Sequence, residues 1–371
     1  MNIGIDARLL ERKMTGIGRF LNTFINELPN VDKENKYFLF SYESIKVENN
    51  HCVNISTIKS FLPQKLFSPI WINFVLPYYL QKNKIDLFLS VNQLVPIVKL
   101  KHTKYILLLH DVIYKVDKTF HPFIYRKYLQ IFTYFSVKRS DLIVTVSNFS
   151  KQDILKYYKI SDSRIKVVYE AADSGFKVLN LNINTKNKLK NQLNLPEHFV
   201  LYVGMIENRK NIKGILKIAD EVFKRNRNIK FVLVGKIGYG GKTLLPAILQ
   251  RENVVYLRSI DDQTLKNIYN IASVFLFPSF YEGFGFPPLE AMQSGLPVLT
   301  SNNTSLKEII GTGGLMHEAN DYHSFAEDII KLIEDKEFYL KIRELGLERA
   351  KYFNIHSTVS EFVKIFNSLK N

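Results

Sequence analysis

Phe280-Tyr281-Glu282-Gly283-Phe284-Gly285-Phe286-Pro287-Pro288-Leu289-Glu290-Ala291-Met292 decides how this 371-residue chain is read. Its two carboxylates stand eight positions apart. Between them, two glycines free the backbone and two prolines stop one helix from carrying both acids. The preceding apolar run, Ser273-Val274-Phe275-Leu276-Phe277, reads as a buried strand. Leu289-Glu290-Ala291-Met292 reads as helix, with Pro288 in its first turn. This places Glu282 on a flexible loop at a strand's carboxyl end, and Glu290 in the opening turn of the next helix. In a doubly wound parallel sheet, ligands bind there. Exposed amides at a helix start attract phosphate, and carboxylates accept hydrogen bonds from hydroxyls. Phosphate donors beside hydroxyl acceptors imply a sugar nucleotide.

The rest of the chain supplies such sheets. Strand-like runs at Ile3-Ile5, Tyr37-Phe40, Ile85-Leu89, Tyr105-Leu109, Leu142-Val146 and Ile165-Val168 alternate with helical patterns. Phe199-Val203, Phe231-Val234, Val254-Leu257, Val274-Phe277 and Val298-Thr300 repeat the alternation, which makes this an α/β chain with parallel sheets. A length of 371 residues suits two domains rather than one core. The asparagine-rich stretch Leu179-Asn187 is expected to link them. A final amphipathic helix is expected from about Ser357 to Leu369.

Hydrophobic content of 46% and charged content of 23% are those of a globular protein. One cysteine, Cys52, excludes a disulfide framework and fits a reducing cytoplasm. Met1-Asn2-Ile3-Gly4-Ile5 starts a strand directly, without the basic flank or cleavage site of an export signal. No run of 18 apolar residues suggests a membrane span, and Phe67-Leu80, broken by two prolines, is expected as a core helix. Net charge is +16 and uneven: residues 1–180 hold 26 Lys and Arg against 15 Asp and Glu, the remainder 25 against 20. No nucleic-acid recognition motif accompanies this charge. An anionic membrane surface or a phosphate-bearing acceptor fits better, as do solvated lysine-rich faces.

Four further segments follow strands. Thr15-Gly16-Ile17-Gly18-Arg19-Phe20 opens the first helix but lacks the third glycine of the dinucleotide fingerprint. Val203-Gly204-Met205-Ile206-Glu207-Asn208-Arg209-Lys210-Asn211 sets two cations at a helix start, which is unfavourable unless an anion offsets them. Leu107-Leu108-Leu109-His110-Asp111 ends a buried strand in a histidine that titrates near neutrality. In Thr145-Val146-Ser147-Asn148-Phe149-Ser150, Ser147 or Asn148 would cap the next helix. Gly235-Lys236-Ile237-Gly238-Tyr239-Gly240-Gly241-Lys242-Thr243 imitates a triphosphatase loop but misses its spacing by one residue, and reads as a mobile loop. Phe123-Phe135 interleaves aromatic and basic residues, as a cleft lip or a buried helix would.

Together these segments resemble glycosyltransferase family 4. The resemblance covers essentially the whole chain and is tightest over residues 200–300. It implies the GT-B fold: two facing Rossmann-like domains, an acceptor domain over residues 1–178 and a donor domain over 195–354, with helix 355–371 crossing back to the first. It implies that Glu282 holds the transferred sugar's hydroxyls, with the backbone of Gly283, Phe284, Gly285 and Leu289 nearby. It gives Glu290 the nucleotide ribose, and gives Arg209 and Lys210 the leaving diphosphate, without the further Arg that some members carry where Met205 stands. Gly16 and Gly18 approach the diphosphate, and His110 supports the reacting centre. The implied reaction is sugar transfer from a nucleotide-diphosphate sugar to a saccharide acceptor, without metal or other cofactor and with retained anomeric configuration. Similarity to builders of bacterial surface polysaccharide (O-antigen, capsule, lipopolysaccharide) favours a mannosyltransferase using GDP-mannose, UDP-linked hexoses coming next. The acceptor would be lipid-linked and the enzyme peripheral on the inner face of the cell membrane. A sugar-nucleotide epimerase of the same fold and a non-catalytic basic binding module are the alternatives.

Overall fold

A computed structural model describes residues 1–11, 16–47, 53–58 and 70–370. Thr15, Cys52 and Phe67 to Pro69, discussed above, lie outside these. The chain divides into two compact units. One comprises Met1–Lys118, Phe123–Ala172 and Phe353–Asn371; the other comprises Thr119–Pro122 and Asp173–Tyr352.

Seven parallel strands form the sheet of the first unit: β1 (Asn2–Asp6), β2 (Lys36–Ser41), β3 (Val53–Thr57), β4 (Leu87–Ser90), β5 (Lys104–Leu108), β6 (Leu142–Thr145) and β7 (Ile165–Val167). Their spatial order is β3-β2-β1-β4-β5-β6-β7, so chain order reverses between β1 and β4, where Ile3 pairs with Leu87. All four residues of β4 and of β6 are buried, as strands covered on both faces require. β3 was not among the expected strands: Val53-Asn54-Ile55-Ser56-Thr57 is an edge strand with only two aliphatic residues, so it lacks a continuous apolar run.

The helix Gly16–Val31 buries Phe20, Leu21, Phe24, Ile25 and Leu28. Phe24 meets Phe362 edge-on at 5.0 Å between ring centroids. Phe362 lies on the helix Ile355–Ser368, whose first turn is capped by Asn354 accepting from the Ser357 amide. Burying a phenylalanine contributes roughly 1.5–3 kcal/mol. Thr358 Oγ1 on the same helix donates to the Tyr169 carbonyl at 2.9 Å. The expected core helix near Phe67-Leu80 is a π-helical turn, Trp71–Val75, followed by an α-helix, Leu76–Lys82. Pro77 has no N–H to donate and crowds the carbonyl four residues back, which favours the wider turn.

Residues 179–187, expected as a linker, contain the start of a helix instead. Asn182 accepts from the Thr185 amide and caps Ile183–Leu193, and the chain changes unit earlier, at Ala172 to Asp173. Asparagine marks the cap here, not disorder.

The second unit has six parallel strands: β8 (His198–Val203), β9 (Ile229–Val234), β10 (Val254–Leu257), β11 (Val274–Phe277), β12 (Val298–Ser301) and β13 (Leu315–His317). The order β10-β9-β8-β11-β12-β13 reverses between β8 and β11, which pair through Val274 with Val200 and Phe275 with Leu201. β13, a three-residue edge strand behind Gly311 to Gly314, was not expected. Among the described residues no helix is long and apolar enough to cross a membrane.

Candidate active site

Adjacent parallel strands at a topological switch point release their loops side by side at their carboxyl ends. In the second unit, β8 releases Gly204 to Asn211, and β11 releases Pro278 to Gly285. The Phe280 amide donates to the Arg209 carbonyl at 2.9 Å and joins the two loops.

Glu282 is the centre of this junction and is buried. Its Oε1 accepts from Lys210 Nζ at 2.6 Å and from Ser279 Oγ at 2.6 Å, and its Oε2 accepts from Arg209 Nη1 at 2.9 Å. Arg209 also reaches Glu207 Oε1 from Nη2 at 2.7 Å and the Tyr281 carbonyl from Nη1. Two cations and two carboxylates thus balance. Burial alone would raise the Glu282 carboxyl; Arg209, then Lys210 and Ser279, override it and hold it below its ordinary value. The Lys210 ammonium goes down, because burial and then Arg209 outweigh the pull of Glu282. The asymmetry is physical: the carboxylate faces two cations, and the ammonium shares one carboxylate with a guanidinium. Lys210 has three N–H groups, and among the described residues only Glu282 accepts from it. Its Nζ sits 4.7 Å from the Phe277 ring centroid, at the end of β11.

The loop around Glu282, expected as flexible, is tied down by hydrogen bonds. Ser305 Oγ donates to the carbonyls of Glu282 and Phe284, the Glu282 amide donates to Thr304 Oγ1, and Asn303 Nδ2 donates to the Ser279 carbonyl. Residues after β12 therefore hold the loop after β11. Gly283 and Phe284 are buried with it. Gly285 takes φ +134°, a conformation that L side chains avoid, and precedes the helix Phe286–Gln293. This helix starts three residues earlier than Leu289, because Pro287 and Pro288 fit its first turn. Glu290 is accordingly its fifth residue, just past the opening turn. It is buried, and Tyr269 donates its hydroxyl to Oε2 at 3.0 Å. The Leu289 side chain is fully buried, which leaves only its backbone for any ligand role.

Asn211 shows how the chain fixes the cation segment. Arg209 and Lys210 lie in a 3-10 turn, Asn208–Lys210, and Asn211 follows in left-handed conformation at φ 56°. Its Oδ1 caps the helix Ile212–Arg225 by accepting from the Gly214 amide, and its Nδ2 donates to the carbonyls of Pro278 and Ala319. The loop Gly235–Thr243, read as mobile, is built onto the same segment. The Ile206 amide donates to the Lys236 carbonyl at 2.8 Å, and the Gly238 amide to the Ile206 carbonyl at 2.9 Å. A Cβ at Gly235 would fall 1.8 Å from the Gly204 carbonyl oxygen, so glycine is required there. Its glycines serve close packing of backbone on backbone.

In the first unit, His110 follows β5 and is buried. Its Nε2 lies 2.9 Å from Oε1 of Glu170, which follows β7 and is 0% exposed. Burial alone would lower the imidazole; Glu170, and then Asp111, raise it above its ordinary value. Gly16 opens the helix Gly16–Val31 and Gly18 is buried in its first turn. Ser147 caps the helix Asn148–Tyr158, accepting from the Ser150 amide at 3.1 Å.

The structure brings Arg209, Lys210, Glu282 and Glu290 into the second unit, and His110, Gly16 and Gly18 into the first. Sequence reading did not single out Glu207, Ser279, Thr304, Ser305, Tyr269 or Glu170. Glu207 and Ser279 had a signal, being within the loops that leave β8 and β11; Tyr269 had none. Among the described residues no group of three or more His, Cys, Asp or Glu side chains is placed to hold a metal ion.

Two family models match the chain: Glycosyltransferase Family 4 over residues 14–175, and Glycosyl transferases group 1 over residues 184–349. The O-antigen chain mannosyltransferase B of Escherichia coli is 30% identical over 70% of this chain and 69% of its own length. The serotype-specific mannosyltransferase WbdA of Escherichia coli is 28% identical over 70% of this chain, which spans about a third (33%) of that longer protein. A sucrose-phosphate synthase from Thermosynechococcus elongatus shares the fold at a TM-score of 0.75, covering 100% of this chain and 99% of its own at 18% identity. With the switch-point geometry of both sheets and these matches, the chain belongs to glycosyltransferase family 4, the group 1 glycosyl transferases, and has the GT-B fold.

Proposed function

We propose that this chain transfers a sugar, mannose in the first place, from a nucleotide-diphosphate sugar to a saccharide acceptor in bacterial surface polysaccharide synthesis. The observation that carries this is Lys210: a buried ammonium beside Arg209 at a sheet switch point, with one acceptor among the described residues for its three N–H groups. Diphosphate oxygens next to it accept the remaining N–H groups, and the two cations offset the charge that grows on the departing nucleoside diphosphate. Charge on the leaving group is then met by side chains, and the transfer needs no metal. Glu282, held ionised by its cations, accepts from hydroxyls of the sugar through Oε2. Glu290 receives the ribose hydroxyls, and the amides of Phe284 and Gly285 border the sugar. Among the described residues the carboxylate nearest Glu282 in this cluster is Glu207, which Arg209 engages through Nε and Nη2. An acid tied up in this way favours same-face substitution and retention over a glycosyl-enzyme intermediate. Relatives named as mannosyltransferases, one of them of the O-antigen chain, favour GDP-mannose as donor.

The acceptor is a lipid-linked saccharide reached from the inner membrane surface. The helix Phe123–Arg139 supports this. It contains Arg126, Lys127, Lys138 and Arg139 and no acidic residue, and it turns Thr133 and Ser136 inward while exposing Phe123, Ile124 (82% exposed), Ile131 and Phe135. Apolar and cationic groups together on one outward surface suit an anionic lipid interface.

A melting-temperature panel of GDP-mannose, GDP-fucose, UDP-glucose, UDP-galactose and UDP-N-acetylglucosamine, run without metal, tests the donor. GDP-mannose should stabilise most, since a site built on hydrogen bonds to hydroxyls rejects an epimer that leaves them unpaired. A UDP-sugar in first place overturns the mannose assignment. Acceptor-dependent release of nucleoside diphosphate separates transfer from epimerisation and from simple binding.

A further inference from the structure

We infer that Glu170 is the positioning residue that fixes the His110 ring and makes Nδ1 the nitrogen offered to substrate. The inference rests on the transferase reading. His110 stands past the end of β5 and Glu170 past the end of β7, on the carboxyl side of the sheet. Both main chains are tied: the His110 carbonyl accepts from Ser150 Oγ at 2.8 Å, and the Tyr169 carbonyl accepts from Thr358 Oγ1 at 2.9 Å. The backbone thus holds the two side chains within reach of each other, Nε2 lies 2.9 Å from Glu170 Oε1, and the ring cannot turn without losing that contact.

A carboxylate only accepts, so Nε2 carries the hydrogen and Nδ1 is left as the variable position. Nδ1 is buried without a hydrogen-bond partner among the described residues, and so is Glu170 Oε2. A fully buried carboxylate with one donor is costly unless the donor is itself charged. The pair therefore favours the imidazolium, with Nδ1–H as a charged donor to a substrate oxygen. The charged groups acting on the ring are Glu170 and its own neighbour Asp111. No proton leaves the pair in this role: Nδ1–H donates a hydrogen bond, and Glu170 stabilises the charge that strengthens it.

The test compares full-length wild type, Glu170→Gln and Glu170→Asp, with GDP-mannose as donor and nucleoside diphosphate release as readout across pH. Loss of a hydrogen bond to a charged group lowers kcat roughly tenfold to a hundredfold at pH 8. Donor KM changes little, and the alkaline limb of the profile moves down by about one pH unit or more in Glu170→Gln. Glu170→Asp restores most of both. Labelled-imidazole NMR of His110, identified by Glu170-independent loss of the signal in His110→Gln, should show the same displacement. A Glu170→Gln profile that is scaled down but unmoved overturns the inference, since a structural role lowers all pH values alike. If wild type turns over no sugar nucleotide, the transferase reading fails on that arm, and the ring titration then decides: an unchanged His110 midpoint in Glu170→Gln overturns the positioning role.

Discussion

Tyr269 donates its hydroxyl to Glu290, its oxygen 3.0 Å from Oε2 of a carboxylate that the helix Phe286–Gln293 buries. The contact separates two roles for Glu290. In Glu290→Gln the amide oxygen still accepts from Tyr269, so melting should move little. Ribose hydroxyls lose a charged acceptor, and donor affinity should fall roughly tenfold to a hundredfold. Titration calorimetry beside a melting scan decides it: lower melting with unchanged affinity means that the acid is structural.

Lys210→Met should destabilise the protein by about 1.5–3 kcal/mol, because the buried Glu282 loses one charged hydrogen bond and keeps Arg209 as its remaining cation. Urea unfolding measures the loss. The double variant Lys210→Met/Glu282→Gln should recover much of the stability and none of the transfer, as it removes the buried carboxylate charge that has lost one of its two cations but not the need to hold a diphosphate. Recovery of turnover in the double variant would remove Lys210 from the site.

Acid stability should report Glu282. Its folded pKa lies below the ordinary value of 4.5, despite burial, because Arg209, Lys210 and Ser279 favour the carboxylate. Such a group contributes stability that is present above its unfolded pKa and is lost as pH falls through the folded one. Urea midpoints taken from pH 7 down to pH 3 should therefore drop more steeply in wild type than in Glu282→Gln. Parallel curves would show that Glu282 carries no such coupling.

Anionic vesicles should pull the protein down on sedimentation, neutral ones should not, and salt should release it. Replacing Ile124, Ile131 and Phe135 together with Glu should abolish the effect without lowering the melting temperature, since all three side chains are exposed. Equal binding to neutral vesicles would refute an electrostatic surface.

Much of this was legible because parallel strands are apolar on both faces and announce themselves, as Val274 to Phe277 does. Edge strands such as Val53–Thr57 do not, for Asn54 and Thr57 are exposed and break any apolar run. The acids and cations at the carboxyl ends were legible from their strands, but their partnerships were not. Nothing near Glu282 in sequence reveals that Ser305, 23 residues on, ties its carbonyl. Nor does His110 point to Glu170, 60 residues later. Such pairs are set by strand order, which is a property of the sheet and not of any segment. Flexibility was misjudged for the same reason: Gly235–Thr243 is rich in glycine, which suggests motion, yet those glycines let it lie against Gly204 and Ile206.

The helix Ile355–Ser368 closes the hydrophobic face of Gly16–Val31 through Phe362 on Phe24. Synthesis on the ribosome therefore inverts the order of completion. Residues 173–352 can gather all six strands of their sheet and fold while Phe24 still waits, uncovered, for a partner at the far end of the chain. Domains fold as they emerge, and an uncovered apolar helix is a place where chains stick to one another or to chaperones. Stop codons or proteolytic cuts just before Phe353 should thus leave the later half well folded and the earlier half prone to aggregation.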